Sequence, residues 1–163
     1  MNICKHTNYL KVPIPVSAIL ILFVFLAHGS ESFNIPEDHK DFPYLDSLYT
    51  QIVKLKKYIE QKEKKLITDP VIARQKKFAA KEEYFDMLLE SQMISRKELL
   101  AFYEKLKQYY EMQMVFFDRL LSILKGDDRA PCFSQYKQAR DNYGAIQQAI
   151  LKHTPQEIDL NDE

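Results

Sequence analysis

The segment LLAFYEKLKQYYEMQMVFFDRLLSILKG, residues 99–126, carries more apolar surface than a single helix–helix contact needs. Its apolar and aromatic side chains come in adjacent pairs, about half a heptad apart over much of the segment. The pairs are Leu99/Leu100, Phe102/Tyr103, Tyr109/Tyr110, Phe116/Phe117, Leu120/Leu121 and Ile123/Leu124. Adjacent residues lie about 100° apart around a helix, so paired positions widen the apolar stripe. The pattern predicts a central helix that packs against two neighbours.

Signals at both ends define this helix as residues 96–125. Ser95 and Glu98 form a capping box, in which each side chain accepts a hydrogen bond from the backbone amide of the other residue. Lys125 places a cation in the last turn, and Gly126 can adopt the left-handed conformation that ends a helix.

Three further helices are predicted over residues 43–67, 70–91 and 133–152. The first has a heptad seam from Leu45 to Leu66, the second starts at the Asp69-Pro70 cap, and the third stops before Pro155. The short connections make successive helices antiparallel. We therefore expect an all-α fold, an antiparallel up-down-up-down four-helix bundle built from coiled-coil hairpins over residues 43–153. The polar segments 30–42 and 154–163 contain prolines and acidic residues, and we expect them to be flexible.

The first 29 residues are typical of a secretory signal peptide. Lys5 and Lys11 precede the apolar run Val16–Ala27, and Ala27-His28-Gly29 provides small residues for cleavage after Gly29. This run of twelve residues, eleven of them apolar, is shorter than the roughly 20 residues that span a bilayer. We expect a cleaved leader and a secreted, extracellular product without a transmembrane helix. The alternative is a leader that is retained as an anchor.

The residues that follow the leader show none of the common catalytic patterns. Their histidines, His39 and His153, lie near opposite ends of the chain, without the spacing of metal ligands. The sequence has no nucleophile elbow and no phosphate-binding glycine loop. We therefore expect a protein that is not an enzyme and uses no metal or cofactor. The formal net charge of zero gives no support for nucleic-acid binding.

Binding to another protein, or self-association, is the function that this pattern favours most. The wide aromatic face of the central helix offers the candidate residues, with core packing as the alternative explanation. The candidate binding residues are Tyr103, Tyr109, Tyr110, Phe116 and Phe117. Cys132 is the cysteine left after cleavage, so it forms either an interchain disulfide in a homo-oligomer or a buried free thiol. The second functional hypothesis is a carrier of lipid or a small apolar ligand, lined by the same aromatic residues.

The leader prediction can be tested by expressing the full chain in secretory cells. We expect the product in the medium, with an intact mass that starts at Ser30. A Val24→Arg variant interrupts the apolar run and should keep the chain inside the cells, whereas a Val115→Arg variant leaves the leader unchanged and serves as the control. A full-length mass in the membrane fraction would contradict cleavage.

Overall fold

The structure is a computed structural model that describes residue 35 and residues 38–75 and 77–155. Five α-helices follow one another along this part of the chain, which contains no β-strand. They are α1 (Phe42–Leu66), α2 (Pro70–Arg74), α3 (Phe78–Glu90), α4 (Arg96–Ile123) and α5 (Arg129–His153), with a 3-10 turn at Gly126–Asp128 before α5. The predicted all-α fold class is confirmed.

The predicted leader, residues 1–29, lies outside the described residues, as do residues 30–34 and 156–163 of the predicted flexible segments. Ile35 differs from the expectation of a flexible segment, because it is only 2% exposed and packs with the core residues of α1 and α4. The chain before α1 is therefore anchored to the core at this side chain.

Helix α1 follows the predicted heptad seam closely. Its buried residues are Leu45, Leu48, Ile52 and Ile59. Asp41 occupies the cap position without capping the helix through its side chain; its carboxylate accepts a hydrogen bond of 2.6 Å from the Arg119 guanidinium on α4. This hydrogen bond lowers the pKa of Asp41. The start of α1 is thus tied to the end of α4.

The helix predicted over residues 70–91 is split into α2 and α3. Asp69 caps α2 as expected, since its Oδ1 accepts hydrogen bonds from the amides of Val71 and Ile72 at 2.7 and 3.4 Å. Gln75 then adopts an extended conformation with ψ 130°. Residues 73–77 contain no apolar side chain larger than alanine, so no buried contact stabilises a continuous helix there. Val71 consequently stays 65% exposed.

Helix α4 begins at the predicted capping box. The Ser95 hydroxyl accepts a hydrogen bond of 3.2 Å from the Glu98 backbone amide, and the Glu98 carboxylate accepts one of 3.0 Å from the Ser95 backbone amide. The helix ends two residues earlier than predicted, because Leu124 is extended and buried. Gly126 has a φ of 63°, a left-handed conformation in which glycine is favoured. Helix α5 starts at Arg129, four residues earlier than predicted, with Pro131 tolerated in its first turn.

Helix α4 packs against α1, α3 and α5. It runs antiparallel to α5, because Tyr103 near its start contacts the His153 ring with centroids 5.9 Å apart, while the Cys132 thiol donates a weak hydrogen bond to the Phe117 carbonyl oxygen at 3.7 Å near its end. Helix α1 is also antiparallel to α4, so the predicted up-down-up-down order, in which the first and third helices are parallel, is wrong. The short connection predicted after α1 is instead the segment from Ile67 to Lys77, which includes α2. Asp41 pairs with Arg119, as described above, and Ile59 shares a cluster with the residues of the first half of α4.

The core consists of two apolar clusters that lie at opposite ends of α4. The first contains Ile35, Leu45, Leu48, Ile52, Phe116, Phe117, Leu120, Leu124 and Cys132. The second contains Ile59, Ile67, Phe78, Phe85, Leu88, Ile94, Leu99, Phe102, Tyr103, Leu106, Ile146 and Ala149. Tyr109 packs against both clusters and therefore marks the waist between them.

A polar cluster joins α3 to the end of α5. Asp86 on α3 is bonded to Lys152 Nζ at 2.5 Å, and its other carboxylate oxygen lies 3.0 Å from His153 Nε2. Glu82 lies one helical turn earlier and places a second carboxylate oxygen 3.6 Å from Lys152 Nζ. The hydrogen bond to Asp86 raises the pKa of Lys152. These contacts orient α3 over the second apolar cluster.

Candidate functional site

A cavity of about 280 Å³ lies at the waist, beside Tyr109. We call it the waist groove. Helix α4 contributes four residues to its lining, and α1, α5 and the region from Ala73 to Lys81 contribute the others. The α4 residues are Leu106, Tyr109, Tyr110 and Gln113; the remaining residues are Lys56, Ile59, Glu60, Glu63, Ala73, Arg74, Gln75, Lys81, Gln135, Gln138, Ala139 and Asn142.

The two tyrosines form the aromatic part of this lining. The rings of Tyr109 and Tyr110 meet edge to face, with centroids 5.0 Å apart. The Tyr109 hydroxyl accepts a hydrogen bond of 2.8 Å from Gln113 Nε2, which leaves its own proton available for donation. Burial raises the pKa of Tyr110 to about 12 and also raises the pKa of Tyr109. Both phenols are therefore neutral at physiological pH and act as hydrogen-bond donors.

The charged groups of the waist groove lie on α1, α2 and α3. Glu63 accepts a hydrogen bond of 2.6 Å from Lys81 on α3, and Glu60 pairs with Lys56 one turn before it at 3.6 Å. Arg74 ends α2 and makes no ion pair within the described part of the chain. Its guanidinium is thus the unpaired charge among the lining residues.

Amide side chains supply most of the other polar groups. Gln135, Gln138 and Asn142 follow one another at helical spacing on α5, so they form a stripe along one edge of the helix. Gln75 adds a fourth amide, and its Oε1 is buried without a hydrogen-bond partner among the described residues. Each amide both donates and accepts, so this side of the waist groove suits a ligand with mixed polarity.

The break between α2 and α3 accounts for the position of the waist groove. Ala73, Arg74 and Gln75 line it on one side of the break, and Lys81 lines it on the other. These side chains are small, polar or paired, so they do not cover Tyr109 and Tyr110 with apolar contacts. The Tyr109/Tyr110 pair of the predicted apolar face is therefore incompletely covered by the rest of the chain.

The structure separates the five predicted binding residues into two groups. Tyr109 and Tyr110 line the waist groove and are half-buried. Tyr103, Phe116 and Phe117 are fully buried, which fits the alternative explanation of core packing for these three. The ring centroids of Phe116 and Tyr49 on α1 are 6.0 Å apart. The rings of Tyr103 and Phe78 meet edge to face, with centroids 5.6 Å apart. The three are core residues because the pairs to which they belong pack against two neighbouring helices.

Cys132 is fully buried in the first apolar cluster. Burial raises the pKa of its thiol to about 12. Of the two sequence-based alternatives, this environment fits the buried free thiol, because a disulfide with another chain requires an accessible sulfur.

Sequence reasoning missed two features. The first is the amide stripe on α5, whose spacing is visible in the sequence but is also typical of an ordinary solvated helix face. The second is Phe133, which is 56% exposed and stacks on Tyr136 with ring centroids 6.4 Å apart. Its position next to Cys132 was visible in the sequence, but only the start of α5 at Arg129 determines that the two side chains point in different directions.

The chain matches no protein-family model, no curated protein and no solved structure. Among the residues that the structure describes, no helix has the length and apolar character needed to cross a membrane.

Raising the pH should destabilise the protein through Tyr110. Its folded-state pKa of about 12 lies above the value of 10.0 for an exposed phenol, so the folded state holds the proton more tightly. The free energy of unfolding should therefore be fully retained below pH 10 and fall as the pH rises towards 12. Urea unfolding followed by circular dichroism measures this slope.

In this experiment, Tyr110→Phe should show a shallower decline than the unmodified protein, because it has one buried phenol fewer to ionise. Tyr58→Phe is the matched control, since Tyr58 is 43% exposed on α1. Identical slopes for the protein and for Tyr110→Phe would contradict the burial of Tyr110.

Proposed function

We propose that the chain is a secreted, non-enzymatic protein that acts by binding, and that the waist groove is its site for a small amphipathic molecule. The observation that carries this proposal is the Tyr109–Tyr110 pair, which lines a cavity where the core is interrupted. Binding sites in proteins are concave, with an apolar part and a few polar groups that fix the ligand's orientation. The waist groove has both parts.

The proposal includes the cleaved leader and a bundle of four helical units, α1, α3, α4 and α5. The contacts of α4 with the other three units support a bundle in which α1 and α5 both run antiparallel to α4. Helix α3 packs with the second apolar cluster, and the waist groove lies where the break between α2 and α3 leaves part of α4 uncovered.

A binding role fits the state of the ionisable groups in the waist groove. Glu60 and Glu63 are each paired with a lysine, and the phenols of Tyr109 and Tyr110 are held in the neutral form. These groups can form hydrogen bonds with a bound ligand at neutral pH.

The lining favours a compact amphipathic ligand over a long acyl chain. Only Ile59, Ala73, Leu106 and Ala139 are aliphatic, whereas amide and charged side chains occupy most of the remaining positions. An acyl chain would leave these polar groups without partners, which costs free energy. The lipid-carrier hypothesis therefore applies only to ligands whose apolar part is short.

Binding of the neutral fluorophore N-phenyl-1-naphthylamine tests the proposal. We expect saturable binding with increased fluorescence, and about tenfold weaker binding for Ala73→Phe, which corresponds to about 1.4 kcal/mol. Ala73 is an exposed residue of the lining, so a phenylalanine there adds bulk without disturbing the core. Ala79→Phe, at an exposed position of α3 outside the lining, should bind as the unmodified protein does. Equal binding by all three proteins, or none, would refute the site.

Binding to another protein is the second candidate function, and Phe133 is the observation that favours it. This ring is exposed and stacks on Tyr136 at the edge of a shallow groove lined by Leu121 and Arg129. Exposed aromatic side chains of this kind are enriched at protein interfaces. In self-association, a second copy of the chain would contact this surface.

Size-exclusion chromatography tests the self-associating form of this candidate. We expect a dimer that is unaffected by reductant, because Cys132 is buried, and that dissociates in Phe133→Ser. Leu151→Ser is the matched control, since Leu151 is also exposed on α5 but lies at its other end. A monomer at all concentrations would exclude self-association, and a dimer that reductant dissociates would place Cys132 at the interface.

A further inference from the structure

The waist groove carries an unbalanced positive charge at one edge. Its two carboxylates are matched by lysines, Glu63 with Lys81 at 2.6 Å and Glu60 with Lys56 at 3.6 Å. Arg74 has no such partner among the described residues. A guanidinium that lines a cavity without a carboxylate partner favours a ligand that brings an anionic group.

Arg74 is well suited to a carboxylate because of its position as well as its charge. It is the last residue of α2, and Gln75 leaves the helix in an extended conformation directly after it. Its side chain is exposed, so binding an anion does not require a buried ion pair to be broken first. A guanidinium donates two parallel hydrogen bonds to a carboxylate, a geometry that lysine cannot reproduce.

Another part of the lining is aromatic. Tyr109 and Tyr110 meet edge to face at 5.0 Å, and Ile59 and Leu106 belong to the adjoining apolar cluster. Aromatic rings pack against such tyrosines in offset or edge-to-face contacts, which are specific for a planar partner. The volume of about 280 Å³ lies at the lower end of the range for small-molecule sites, so one ring or two fused rings fit it better than a larger scaffold.

From these features we infer that the ligand of the waist groove is a small aromatic carboxylate, with its carboxylate on Arg74 and its ring against Tyr109 and Tyr110. This inference rests on the proposed function and narrows it to one ligand class. The neutral phenol of Tyr109 donates to a polar atom of the ligand, and the Gln138 amide hydrogen-bonds the part of the ligand that faces α5.

Isothermal titration calorimetry with three probes tests the inference. The probes are 1-naphthaleneacetate, its primary amide and decanoate. We expect the aromatic acid to bind about tenfold more tightly than the amide, because the amide lacks the charge. We also expect it to bind more tightly than decanoate, because decanoate lacks the ring. If the amide binds as tightly as the acid, the inference that the site binds an anionic group is wrong. If decanoate binds as tightly as 1-naphthaleneacetate, the inference that the site binds an aromatic ring is wrong.

Arg74→Gln should reduce the affinity for the acid to that for the amide and leave the affinity for the amide unchanged. Arg96→Gln removes the same charge from an exposed position at the start of α4 and should change neither affinity. An Arg74→Gln protein that still prefers the acid would overturn the role of Arg74. If the neutral fluorophore binds while the acid shows no advantage, the proposed function stands and this inference falls; if no probe binds, both fall.

Discussion

The fold depends on how adjacent aromatic residues of α4 are shared between two neighbouring helices. In the Phe116/Phe117 pair, Phe116 contacts Tyr49 of α1, and the carbonyl oxygen of Phe117 accepts the weak hydrogen bond from Cys132 of α5. Near the start of α4, Phe102 and Tyr103 both contact Phe85 of α3, and Tyr103 also contacts His153 of α5. Each of these two pairs therefore packs α4 against two neighbouring helices, and burial of the large side chains contributes much of the stabilisation.

The waist groove lies at Tyr109 and Tyr110, the pair of α4 in which neither residue is fully buried. The other residues of the lining are mostly small, polar or charged. Hydroxyl groups make this arrangement tolerable, because a tyrosine can satisfy part of its surface with hydrogen bonds where a phenylalanine would require apolar contacts. Phe116 and Phe117, which have no hydroxyl group, lie where the core is closed.

Local signals in the sequence predicted where several helices begin better than they predicted which residues pack together. The caps at Asp69 and Ser95 are formed as expected, because capping depends on residues within one turn. The break after Arg74 was not predicted, because it depends on the lack of a buried partner for residues 73–77, which is a tertiary property. Of the candidate site, Tyr109 and Tyr110 were identified, whereas Arg74 and the α5 amides were not, since nothing in a single sequence shows which polar residues converge.

The ion pair between Asp41 and Arg119 joins residues that are 78 positions apart in the chain. Protein synthesis proceeds at about 5–20 residues per second, so α1 waits on the order of ten seconds for its partner on α4 to be made. During this interval the apolar seam of α1 has no native helix to cover it. The apolar seam of α1 is therefore exposed for longer than that of the α4–α5 hairpin, whose two helices are neighbours in the chain and complete their contacts last.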